Sequence, residues 1–313
     1  MKLMICYDGS EVADAALEDL KRAGLPSDAE ALVVTVADVL LVPEGYAPDA
    51  SLVAEYAELV RGHIEHGKRR TGEAAQYAER GVEKVKRLFP GWRVRSEVLA
   101  DSPAWGIVKR AETYQPHMII IGSHGRGLIG RALFGSVSQK VLSHAQCDVR
   151  IARRGSGDVS APPRLVVGLD GSEPSQGALE VALSRKWPKG TAMHLVTAVD
   201  ARIATAIAFP DAALECWVDR KDRDPLSWAE RMLRSSAQRV SAAGIAVTTY
   251  LKEGDAGTTL VKEAEKWGAD GIFIGSRGLG GGERLILGSV SYAVAARAHC
   301  SVEVVRSLCR VAR

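Results

Sequence analysis

Short apolar, β-branched runs alternate with amphipathic stretches along the whole chain. LMICY (3–7), ALVVTV (31–36), RVRSEVL (93–99), HMIII (117–121) and DVRIA (148–152) predict five strands in the first half. RLVVGL (164–169), AMHLVTA (192–198), IAVTTYL (245–251), GIFIG (271–275) and SVEVV (301–305) predict five more. Val12, Ala13, Ala16, Leu17 and Leu20 share one helical face, and Glu65–Leu88 reads as a long charged helix. Ile107–Ala111 forms the core of a third helix, and a fourth starts near Ser136 with Val137, Val141 and Leu142 turned inward. Nearly continuous apolar strands alternating with helices imply parallel sheets covered on both faces. Right-handed crossovers then give doubly wound α/β domains.

The pattern is written twice. Moving the chain by 153 residues lays Val94–Arg153 on Val247–Arg306 without a gap, and upstream the offset is 162, carrying Asp8 to Asp170 and Val36 to Ala198. The nine-residue difference falls between the second strand and the next helix, where a surface loop tolerates it. A repeat of this length is a duplicated domain. The expected division is 1–154 and 164–313, joined by the linker 155–163, which runs from glycine-rich to proline-rich.

Composition narrows the function class. Among 313 residues, 46% are hydrophobic and 25% charged, an ordinary globular balance, and a net charge of +3 argues against nucleic acid or an anionic membrane as partner. No apolar run approaches the roughly 18 residues of a membrane span, and Met1-Lys2 leads straight into a strand, so neither a span nor a signal peptide is expected. Five cysteines without paired spacing predict reduced thiols and a cytoplasmic location.

The chemistry sits in one phrase. GSHGRGLIGRALFGSVS from Gly122 and GSRGLGGGERLILGSVS from Gly275 both read G-x2-G-x9-G-S, and each half opens with a strand ending in Asp-Gly-Ser, at Asp8 and Asp170. In an open α/β sheet, ligands bind beyond the carboxyl ends of the strands where strand order reverses. If the first and fourth strands are neighbours there, Asp8 and the Gly122–Gly125 loop face one crevice. Loop glycines let backbone N–H groups approach a ligand. Ser136, predicted to cap the following helix, brings a positive helix end suited to an anion. The parts fit a phosphate-bearing ligand with a sugar or metal near the acid.

The two phrases, the strand ends YDGS and LDGS, and the turns ADSPA (100–104) and EGDAG (253–257) resemble the universal stress protein family. The resemblance runs along nearly the whole chain, as a tandem two-domain member. It implies two five-stranded, Rossmann-like sheets of the adenine nucleotide alpha hydrolase type, related by a pseudo-two-fold. In the family's ATP-binding branch this loop holds the phosphates, the acid holds ribose or a metal such as Mg or Mn, and the second strand meets adenine. The implied first site is Asp8, Val36, Gly122, Gly125, Gly135, Ser136 and Val137. The implied second is Asp170, Ala198, Gly275, Gly278, Gly288, Ser289 and Val290, with Asp8 and Asp170 the possible metal ligands. The turns depart from the family's Gly-Asp-Pro, His124 becomes Arg277, and Gly280–Gly282 loosen the second loop.

The resemblance also implies pairing through DVRIA and SVEVV, giving an intrachain pseudo-dimer and a possible homodimer. Arg131 and Arg284 are equivalent loop arginines, as well suited to solvent as to phosphate. His63 and His66 lack a third ligand in sequence. Trp217 and Trp228, with Phe209 and Pro210, lie in the long segment of the second half, as a lid, an interface or packing under a loop. Neither a G-x-S-x-G elbow nor a Walker loop is present. The leading expectation is an ATP-binding stress-response protein in which nucleotide is a regulatory ligand and no catalytic residue is nominated. An interaction module without nucleotide, a slow ATPase and an adenylate-transferring enzyme are the alternatives.

Overall fold

The computed structural model describes residues 1–39, 54–125, 134–154, 160–200, 224–278 and 287–306, with side chains of the long helix from residue 61 onward. The apolar runs form the strands they predict. In the first half these are β1 (Lys2–Cys6), β2 (Glu30–Ala37), β3 (Arg93–Ala100), β4 (Met118–Gly122) and β5 (Asp148–Ala152). In the second they are β6 (Arg164–Gly168), β7 (Ala192–Val199), β8 (Ala246–Glu253), β9 (Gly271–Gly275) and β10 (Ser301–Val305). The two expected five-stranded sheets run on as one ten-stranded sheet, ordered β3-β2-β1-β4-β5-β10-β9-β6-β7-β8. Within each half the pairing is parallel, while β5 and β10 meet antiparallel, Arg150 opposite Glu303. Both last strands are thereby used inside the chain, and neither is left for a second copy.

Helices cover both faces. α1 (Glu11–Asp19) and α2 (Ala54–Leu88) lie over one face of the first half, burying Leu17, Leu20 and Val85 against Leu3, Ile5 and Val33. α3 (Pro103–Tyr114) and α4 (Ser136–His144) cover the other. The second half repeats this with α5 (Glu173–Ser184), α6 (Pro225–Ala242), α7 (Ala256–Trp267) and α8 (Ser289–Arg297). The α3–α4 core is continuous across the seam with that under α7 and α8, so Val141 and Val294 belong to one apolar layer. α2 begins eleven residues before the predicted Glu65. Trp228 is not in a loop but in the first turns of α6, deep in the core. Arg131, Arg284, Trp217, Phe209, Pro210 and Gly280–Gly282 lie outside the described residues.

The seam carries a buried charge cluster. Arg150 on β5 donates from Nε to Asp19 Oδ2 at 2.7 Å and from Nη1 to Glu303 Oε2 at 3.3 Å. Arg185 pairs with the other oxygen of Glu303, and Ser301 Oγ donates to Asp19 Oδ1 at 2.7 Å. Burial opposes the charge on Arg150, but Asp19 and then Glu303 outweigh it, so its pKa is raised above the ordinary guanidinium value. Flanking arginines tie the halves reciprocally. Arg153 reaches the Ala295 carbonyl on α8, and Arg306 reaches the Leu142 carbonyl on α4. Each cation thus meets carbonyls near the negative end of the opposite half's helix.

In the second half, His194 on β7 shares a 2.7 Å hydrogen bond between Nδ1 and Thr248 Oγ1, stacks on Trp267, and sets Nε2 3.4 Å from Glu263. Burial lowers its pKa more than Glu263 raises it. A depressed folded-state value means the unfolded chain binds the proton more readily. This contribution to stability is therefore present above the ordinary histidine value of about 6.5 and lost as pH falls below it.

Arg150→Met leaves Asp19 buried without a cation and Glu303 with Arg185 alone, and lowers stability by about 3–5 kcal/mol in urea titration, whereas Lys109→Ala, removing an exposed pair with Asp101, changes it by no more than about 1 kcal/mol. His194→Gln reduces the loss of urea stability between pH 7.5 and pH 5.5; an unchanged loss would show that other groups carry it.

Candidate functional site

β1 stops at Cys6 because Asp8 turns the chain. Its Oδ1 accepts the Ser10 N–H at 3.0 Å, Gly9 takes φ +74°, and Ser10 Oγ caps α1 by accepting the Ala13 N–H at 3.1 Å. Thr35 Oγ1 donates to the Tyr7 carbonyl at 2.7 Å, fixing the β1 end to β2. β1 pairs with β4, so the strand order reverses between them and Asp8 stands beside Gly122.

The glycine loop is closed from its far end. The Gly135 N–H donates to the Ser123 carbonyl at 2.8 Å, and Ser138 Oγ donates to the Gly122 carbonyl at 2.7 Å. A Cβ on Gly135 would lie 3.0 Å from the His124 Cα, which is why no side chain stands there. This corrects the expected cap. Gly135 is the N-cap residue, Ser136 is the first helical residue, and no side chain caps α4. The helix start therefore keeps its positive end toward the cavity. The loop also comes close to the β1 end: a Cβ on Gly125 would lie 3.1 Å from Asp8 Oδ2.

These elements surround a cavity of about 410 Å³. All seven residues expected for the first site line it: Asp8, Val36, Gly122, Gly125, Gly135, Ser136 and Val137. His124 lines it as well, its Nδ1 3.0 Å from Ser123 Oγ. A further wall, which the sequence pattern does not indicate, is formed by Arg70, Glu73 and Tyr77 of α2. These flank the buried stripe of Ala74, Ala78 and Val85, and amphipathic periodicity identifies only the stripe. Burial pushes the Cys6 thiol upward, which leaves it protonated and unreactive at the cavity floor.

The second half repeats the scaffold. Asp170 Oδ1 accepts the Ser172 N–H at 3.0 Å and its hydroxyl at 2.5 Å. Thr197 Oγ1 donates to the Leu169 carbonyl at 2.8 Å, and Ser291 Oγ donates to the Gly275 carbonyl at 2.7 Å. Gly278 faces Asp170 Oδ2, and Gly288 is the uncapped helix start before Ser289 and Val290, again one residue ahead of the serine. Ala198 lies buried near the end of β7. Thr35 with Thr197, and Ser138 with Ser291, are identical across the repeat, a signal the sequence already held. Among the described residues no group of three His, Cys, Asp or Glu could hold a metal, and His63 and His66 lie on an exposed face of α2.

The universal stress protein family model matches residues 1–153 and again 163–306. The chain belongs to the universal stress protein family. One universal stress protein of Mycolicibacterium smegmatis is 26% identical over 316 residues, covering 97% of this chain and 96% of its own. Another, from Mycobacterium tuberculosis, is 28% identical over 247 residues, 77% of each chain. A solved universal stress protein of Archaeoglobus fulgidus shares the fold over 97% of this chain and 98% of its own, with a TM-score of 0.64 and 22% identity. No helix among the described residues is long and apolar enough to cross a membrane.

Ser138→Ala removes the hydroxyl that holds Gly122 and leaves that carbonyl without this donor. It should lower stability by about 1–2 kcal/mol, read as a shifted urea midpoint with an unchanged slope.

Proposed function

We propose that the chain is a cytoplasmic regulatory protein that binds ATP at the switch point of the first half. One observation carries the reading: Asp8 and Gly125 stand side by side in the lining of a cavity that the uncapped start of α4 also lines. Phosphates suit the N–H groups of the Gly122–Gly125 turn and of Ser136 and Val137. Asp8 suits ribose hydroxyls, and its carboxylate is the hard oxygen ligand that Mg or Mn shares with phosphate. Val36 supplies an apolar edge for a purine. The cavity volume falls within the range of small-molecule sites, about 300–1,000 Å³. Asp170, Ala198, Gly275, Gly278, Gly288, Ser289 and Val290 are the corresponding set in the second half.

In this reading the domains are 1–154 and 164–313, joined by 155–163, and nucleotide acts as a conformational ligand. A homodimer has to use a surface other than β5 and β10, because those strands pair within the chain.

Denaturing the purified protein should release adenine nucleotide, identified by mass spectrometry. Titrating stripped protein with Mg-ATP should give a saturable heat. Gly125→Val sets a branched side chain against Asp8 and should weaken binding at least tenfold, about 1.4 kcal/mol. Absence of both released nucleotide and heat would overturn the reading in favour of an interaction module. Phosphate release in step with binding would make the protein a slow ATPase, and pyrophosphate release on adding an acceptor an adenylate-transferring enzyme.

A further inference from the structure

The two halves share a scaffold but not a wall. On α2 the buried residues Ala74, Ala78 and Val85 are spaced as Ala229, Leu233 and Val240 are on α6. That register sets Pro225, Trp228 and Met232 where Arg70, Glu73 and Tyr77 line the first cavity. Three polar side chains are thus exchanged for apolar ones along the same flank of the stripe.

Trp228 is the decisive member. It is 1% exposed, and its indole lies over Gly171, the residue next to Asp170. A Cβ on Gly171 would meet the ring at 2.5 Å and the Met232 sulfur at 3.4 Å. The Trp228 indole N–H has no acceptor among the described residues, so packing holds the ring. The floor changes in the same direction. Cys6 and Tyr7 become Gly168 and Leu169, and both Leu260 methyls lie 3.1 Å from where a Gly168 Cβ would be. Gly278 also sits closer to Asp170 than Gly125 does to Asp8.

We infer that the chain takes one nucleotide, in the first half, and that Trp228 fills the corresponding space in the second. This rests on the nucleotide reading above. The second half keeps the Ser and Thr bonds that shape the loop because they also hold its fold, while its binding space has become core. The specificity lies in α2 and α6, outside the glycine phrase that both halves share.

The test is stoichiometry on the full chain by equilibrium dialysis with Mg-ATP. One equivalent is expected per wild-type chain, and for Gly125→Val the same single equivalent with its midpoint moved at least tenfold higher, or lost from the range measured. Photolabelling with 8-azido-ATP and peptide mapping should mark only residues before 155. Two equivalents, or one whose midpoint Gly125→Val leaves unchanged, or label in the second half, would overturn the inference while leaving nucleotide binding intact. No binding by wild type would overturn the nucleotide reading itself. Trp228→Ala, once its melting shows a cooperative fold, should bind a second equivalent. A folded Trp228→Ala chain that still binds one would overturn the part assigned to Trp228.

Discussion

Everything in this fold hangs on the antiparallel meeting of β5 and β10. Parallel strands on either side of it run in opposite senses, so the carboxyl ends of the two halves, and with them Asp8 and Asp170, lie at opposite rims of one sheet. The seam also removes the two apolar edges that the halves would otherwise present to other chains. The remaining edges, β3 and β8, have exposed charged positions such as Arg93, Arg95 and Lys252. Arg150, Asp19, Glu303 and Arg185 make the meeting selective, because any slip in register leaves a charge buried without its partner.

Away from the seam, local rules explain most of what holds the sites. A strand-end carboxylate accepts the N–H two residues on, a serine starts the next helix, a threonine ties neighbouring strands, and a serine one turn into α4 or α8 anchors the glycine turn. Each bond satisfies a backbone group that the loop exposes, so the loop shape is a by-product of ordinary hydrogen-bond satisfaction. This is why both halves keep it although their walls differ.

Much of this was legible from residue order. DVRIA, GIFIG and SVEVV were read with the bounds they have, since a strand buried on both faces announces itself as an apolar run. Pairing of the halves followed from resemblance, but the charge cluster did not, because Asp19 stands 131 residues from Arg150. Ser136 reads as the cap, one residue past the true cap Gly135, because side-chain preference at a cap ignores the close approach of His124 to Gly135. Trp228 reads as part of a loop insertion because an isolated aromatic residue carries no period, whereas it stands in α6. Its burial depends on Gly171, 57 residues upstream. The cavity wall on α2 is silent in the sequence for a related reason: it flanks an apolar stripe, and periodicity has nothing to say about flanks.

The register of the seam has one more consequence. The second copy is displaced by 153 residues, so the residue opposite Arg150 on β10 is Arg150's own counterpart in the repeat, Glu303. Two identical half-length chains meeting in this way must set a side chain against its twin, arginine on arginine or glutamate on glutamate, at the symmetry axis. Joining both copies in one polypeptide lifts that restriction and lets opposite charges occupy the axis. The pair is thus a mark of covalent fusion, written where a dimer of equals is least able to write it.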